Sequence, residues 1–177
     1  MEAPDEELML AYGRGDPGAF DTLYKRHRGA LFRFILRAIK QRPAAEELFQ
    51  ETWIRVIEAS NRYAPQARFT TWLYTIAHNL LVDHWRRKGL SVVQLDEDSA
   101  AAAPDNPARQ AEAREALARL LRAIEALPAA QREAFLLHEE AGLSVAEIAA
   151  VTGSGEEAAK SRLRYAMAKL KAAVDDG

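Results

Sequence analysis

The sequence predicts an all-α protein of two small helical domains joined by an acidic Pro/Ala linker, the second domain carrying a helix-turn-helix. Three observations predict it. Of the 177 residues 35 are alanine, whereas Val, Ile and Thr together number 20, a balance that favours helix and leaves little material for sheets. Apolar residues recur at helical spacing on both sides of the chain's middle, most runs opened by a helix-start signal. Residues 91–111, with four acids, Pro104, Pro107 and four consecutive alanines, show no apolar period and read as a linker. The domains are therefore expected at 1–90 and 112–177, each with a modest core.

Asp16-Pro17 sets an N-cap before a proline at the first helical position, and Phe20, Leu23, Tyr24, Leu31, Phe34, Ile35 and Ile39 follow at helical spacing. Pro43 opens a second helix, with Glu46 and Glu47 in its first turn, running to about Ala59. Residues 61–68 form a loop. Phe69, Trp72, Leu73, Ile76, Ala77 and Leu80 then stripe a third helix that ends near Lys88-Gly89. Beyond the linker, Leu117, Leu120, Leu121 and Ile124 mark a helix stopping before Pro128, and Phe135, Leu136 and Leu137 sit in another. Ser144-x-x-Glu147 is a capping box for a short helix, and Thr152-Gly-Ser-Gly155 turns the chain. A second capping box, Ser154-x-x-Glu157, opens a longer helix to about Val174.

Composition excludes several chemistries. No cysteine is present, so disulfides, thiolate metal sites and cysteine nucleophiles are ruled out. The acidic start, Met1 to Glu7, lacks the apolar run of a secretory signal, and no stretch reaches the ~18 apolar residues of a membrane span. A cytoplasmic protein with no membrane insertion is expected. The net charge of −2 argues against a nucleic-acid binder, but it is unevenly spread. Residues 1–90 carry +3, residues 91–111 carry −3 and residues 112–177 carry −2.

The segment from Leu143 to Leu170 has helix-turn-helix form. Its second helix bears Lys160, Arg162, Arg164, Lys169 and Lys171, with no acid between Ala158 and Val174, a pattern that suits a polyanion. In the first half, Thr71, Thr75, His78, Asn79, Val82 and Arg86 share one side of a helix at 100° per residue, and Arg86-Arg87-Lys88 ends it. Such groups can read bases and hold phosphates, or simply form a solvated face. Arg62, Tyr63 and Arg68 in the preceding loop mix cation with aromatic, as single-strand-binding surfaces do; Trp72 reads as core packing. Glu46, Glu47, Gln50, Glu51 and Glu58 make the helix from Pro43 acidic, which suits a protein partner better than DNA. No convergent catalytic site assembles, and no metal-ligand pair or phosphate loop is spaced for use. We expect no enzyme, no catalytic residues, no metal and no cofactor.

Several segments together carry a resemblance: Leu23-Tyr-Lys-Arg-His27; Ala45 to Val56; Phe69 to Ala77 with Asn79, Asp83 and Arg86-Arg87; and Gly142 to Ala149 with Lys160-Ser-Arg-Leu163. In this order the chain resembles an extracytoplasmic-function sigma factor of bacterial RNA polymerase, over about 20–88 and 113–173. The resemblance implies that the first domain binds core RNA polymerase and the promoter −10 element, and the second the −35 element. Glu47, Gln50 and Glu51 would dock on the clamp helices of the largest polymerase subunit. Arg62, Tyr63 and Arg68 would capture a flipped −10 base, while His78, Asn79, Arg86 and Arg87 hold the upstream edge of the bubble. Lys160, Ser161, Arg162, Arg164 and Tyr165 would meet the −35 major groove, and an anti-sigma factor is an expected partner. One departure stands out. The −35 helix opens on Ser154-Gly-Glu-Glu157, whose two acids suit the helix dipole but repel phosphate, so an unusual −35 preference is expected. The runner-up reading is a free-standing helix-turn-helix regulator; a helical adaptor is a third.

Overall fold

The computed structural model describes residues 2–89 and 111–175, and every regular element among them is helical. The expected linker falls almost wholly outside the described residues. Helix α1 spans Asp5–Gly13 and was not anticipated by the sequence reading. It has no side-chain cap, but Asp5, Glu6 and Glu7 all lie in its first turn, where the helix dipole favours them. Its Met9 is wholly buried.

Helix α2, Pro17–Ile39, starts as expected: the Asp16 carboxylate accepts the Gly18 N–H at 3.0 Å. It ends at Lys40, a non-glycine residue in the left-handed region with φ 66°. Helix α3 spans Arg42–Glu58. Its first turn holds no acid: the helix starts one residue before Pro43, so Glu46 and Glu47 fall just past that turn and gain less from the dipole. A 3-10 turn at Ser60–Arg62 begins the loop, and α4 covers Phe69–Arg87.

The second half has α5, Ala111–Ala126; α6, Ala129–Glu139; α7, Val145–Thr152; and α8, Glu156–Asp175. Ser144 and Glu147 form the expected capping box at α7, and Gly153 leaves that helix at φ 69°, a conformation in which an L side chain would be strained. The second capping box does not form. Helix α8 starts at Glu156, which leaves Ser154 one residue too early, and its hydroxyl pairs with Thr152 Oγ1 at 2.9 Å.

Aromatic rings tie α1, α2 and α3 together: Tyr12 meets Phe20 at 4.9 Å, Phe20 meets Trp53 edge-on at 5.8 Å, and Tyr24 meets Trp53 at 5.1 Å. Phe34 packs edge-on against Tyr74 of α4 at 5.3 Å. Each half is expected from the sequence to have a modest core of its own. Instead the buried apolar residues form one continuous cluster running from Met9 to Leu170, because α7 packs on α4 and α6 packs on α2.

Candidate nucleic-acid interface

A groove of about 760 Å³ opens between α3, the 61–68 loop and the start of α4. Arg62, Tyr63, Gln66, Trp72, Thr75 and Ile76 line it on one side, and Glu51, Arg55 and Glu58 on the other. The loop stands where it does because α1 holds it from behind. The Glu6 carboxylate accepts the Phe69 N–H at 2.6 Å, capping α4 in place of Arg68, which makes no side-chain cap. Asp5 accepts from Arg26 at 2.9 Å and pairs with His27 at 2.8 Å. Burial opposes ionisation of Asp5, but His27 and Arg26 outweigh it and hold the carboxyl below its ordinary value. Gly13 allows the close approach on the other side, since a Cβ there would lie 2.5 Å from the Ser60 carbonyl oxygen.

The two groove aromatics, Tyr63 and Trp72, stand against each other in its wall. Tyr63 is only 8% exposed, packed edge-on against Trp72 at 5.0 Å and Phe69 at 6.4 Å, so it is a wall rather than a free stacking platform. Burial, then the charges of Glu6 and Asp5, push its phenol up to about 12, which keeps it neutral. Trp72, read as core, is only partly buried and shows its remaining surface to the groove. Position on the apolar stripe had concealed this, because the stripe's edge and the groove's wall are the same side chain.

On α4, Asn79, Arg86 and Arg87 are exposed. His84, beside them, is pushed below its ordinary value by burial and by the Lys88 and Arg87 charges, with Glu47 opposing. Toward the groove, the second half of the chain engages part of the polar face. Glu147 of α7 accepts from Arg68 Nη1 at 3.2 Å and from the Thr71 hydroxyl at 3.0 Å. His78 Nδ1 lies 2.6 Å from Glu133 Oε2 of α6, and Thr71 is buried. Thus Thr71 and His78, expected on one polar face of α4, and Arg68, expected in the loop before it, are engaged by second-half carboxylates. Neither Glu133 nor Glu147 was singled out for this, since each lies more than 50 residues from its partner.

Helix α8 packs on α5, α6 and α7 through Ala159, Ala166 and Leu170. Its other side leaves Lys160, Arg164 and Tyr165 exposed and Ser161 and Arg162 half-buried. Arg164 lies over the Tyr165 ring at 5.7 Å. On α3, Glu47 and Gln50 are exposed, and Glu51 is tied to Arg55 at 3.2 Å. The same face carries Ile54 and Ile57, 45% and 43% exposed, so it is apolar as well as acidic. Among the described residues no cluster of three or more His, Asp or Glu could hold a metal, and no helix is long and apolar enough to cross a membrane.

Fold and sequence define a sigma factor: residues 23–90 match Sigma-70 region 2, and residues 117–170 match Sigma-70 region 4. The chain is 35% identical over 167 residues to the RNA polymerase sigma factor CarQ of Myxococcus xanthus, covering 92% of this chain and 93% of that one. It is 30% identical to the ECF sigma factor SigM of Mycobacterium tuberculosis strain H37Rv, covering 96% and 84%. Among solved structures it is similar to CnrH in complex with the cytosolic domain of CnrY, with a TM-score of 0.70, 27% identity and 97% of both chains covered. It is similar also to the sigma factor RpoE bound to the anti-sigma factor NepR from Bartonella quintana, with a TM-score of 0.68, 25% identity and coverage of 88% and 96%. The chain belongs to the extracytoplasmic-function sigma factors of bacterial RNA polymerase, proteins of transcription initiation and not a class of enzymes.

Proposed function

We propose that this sigma factor divides its work among four surfaces. The α3 face with Glu47, Gln50, Glu51, Ile54 and Ile57 docks on the clamp helices of the largest polymerase subunit. The groove beside Arg62, Tyr63, Arg68 and Trp72 receives a flipped base of the −10 element. The α4 face with His78, Asn79, Arg86 and Arg87 holds the upstream edge of the opened duplex. Helix α8 enters the −35 major groove with Lys160, Ser161, Arg162, Arg164 and Tyr165, while the protein itself supplies no catalytic group.

The groove carries this reading. It has room for a nucleobase, an aromatic wall at Tyr63 and Trp72, and cations at Arg55 and Arg62, which together can offset the few kcal/mol that unstacking a base costs. A free-standing regulator has no need of such a groove, nor of an acidic and apolar α3 face. Because the similar sigma factor RpoE was captured with the anti-sigma factor NepR, we assign this chain an anti-sigma partner as well. Run-off transcription with core polymerase over a genomic fragment library tests the whole: start sites sharing an upstream two-part motif support it. Equal promoter binding with and without core enzyme would reject it in favour of the regulator.

A further inference from the structure

The first turn of α8 holds two exposed acids, Glu156 and Glu157, whose side chains the fold leaves unpartnered. The Ser154 hydroxyl pairs with Thr152, so no capping box occupies Glu157. Glu156 stands four residues before Lys160. At that spacing Asp21 with Lys25, Arg42 with Glu46, Glu51 with Arg55 and Glu115 with Arg119 all form ion pairs. Among the described residues Glu156, Glu157 and Lys160 form none. Gly155, just before them, is bare for no reason internal to the protein. Its φ lies outside the left-handed region, and a Cβ built there would meet no atom within 4 Å. Serine or aspartate would also cap the helix better. A glycine that neither strain nor crowding requires suits close approach by another molecule.

At 100° per residue Glu157 lies opposite the packed residues Ala159, Ala166 and Leu170, with Lys160, Ser161 and Arg164 within about 60° of it on the outward side. In a helix-turn-helix the first residues of the second helix meet base edges. A carboxylate there loses affinity to every phosphate nearby, so it must gain something from the bases. Cytosine is the base whose own major-groove edge offers a donor, the N4 amino group, with no acceptor beside it. We propose that Glu157 is a specificity-determining residue, accepting a hydrogen bond from the N4 amino group of a cytosine in the −35 element. Lys160 and Arg164 supply the phosphate and guanine contacts that offset its charge. This rests on the reading of α8 as the −35 helix. The acid gives up general affinity and gains selectivity, because guanine and thymine present acceptor oxygens that repel it.

The test uses the holoenzyme, full-length protein with core polymerase, and a pool of duplexes built on one promoter from the run-off library with its −35 window randomised. Bound duplexes are sequenced for the unaltered chain, for Glu157→Gln and for Glu139→Gln, an exposed α6 site that removes the same charge. We expect one position at which the unaltered chain and Glu139→Gln prefer cytosine by about tenfold or more. In Glu157→Gln adenine, whose N6 and N7 suit an amide, should take its place there, with the other positions unchanged. Identical base preferences in Glu157→Gln and the unaltered chain overturn the proposal. A uniform rise in affinity across the pool also overturns it, since the acid would then only repel phosphate. A uniform fall does so too, since the acid would then only support the helix. Failure of the underlying reading looks different. The unaltered chain would show no preference anywhere in the window, or Lys160→Ala with Arg164→Ala would leave binding and preference as they were.

Discussion

Glu6 is a residue whose importance comes from one hydrogen bond to a distant backbone. By accepting the Phe69 N–H it satisfies a donor that α4 leaves open and fixes where the 61–68 loop ends. Glu6→Ala should lower stability by about 1–2 kcal/mol, as loss of a charged cap does, and Glu6→Gln should recover part of it; urea unfolding measures both. Acid sensitivity is also set at this scale. Burial works against the ionised Glu147, but the Ser144 N–H, the Thr71 and Ser144 hydroxyls and Arg68 together hold its carboxyl below the ordinary 4.5. Asp5 is likewise held below 3.8. Both stabilising contributions are complete at neutral pH and are lost as pH falls through the lowered values, so stability should fall steeply below about pH 4. Unfolding midpoints across a pH series would show it, and Glu147→Gln should blunt the loss.

At the scale of elements, the proposed function gives α3 and α4 different partners, and substitutions should separate them. Replacing Arg86 and Arg87 by alanine should weaken open-complex formation more than core-polymerase binding, and Gln50→Ala or Ile54→Ala should do the reverse. Equal losses in both assays for both sets would end that division. Helix α1 is a structural support for α4, and Gly13→Ala tests it: the added Cβ must push Ser60 away. We expect about 1–3 kcal/mol of destabilisation, as for overpacking elsewhere, with weaker promoter opening and unchanged −35 binding. The sequence reading placed α2, α3, α4 and α7 well, because Asp16-Pro17, Pro43 and the Ser144 capping box are local signals. It missed α1, whose start has no cap and whose acids looked like a solvated terminus until Met9 was seen buried beneath them.

For the whole molecule the consequence is coupling between the halves. All three tryptophans, Trp53, Trp72 and Trp85, lie in the first half, so fluorescence reports that half while far-UV circular dichroism reports both. With one continuous core the two signals should follow a single denaturation curve at low salt. Separate curves would mean that each half is stable alone.

The sequence by itself determined every described helix except α1, the charge of each segment, the family and a candidate set of residues to meet polymerase and DNA. All of these depend on period, cap and motif, which are readable within a few residues. Only the tertiary structure decided that Tyr63 is a wall and Trp72 partly open, that Glu6 caps a helix 63 residues away, and that Glu133 and Glu147 sit on His78, Arg68 and Thr71. Those facts depend on which helix faces meet, and faces of different helices meet through packing, which no local spacing encodes.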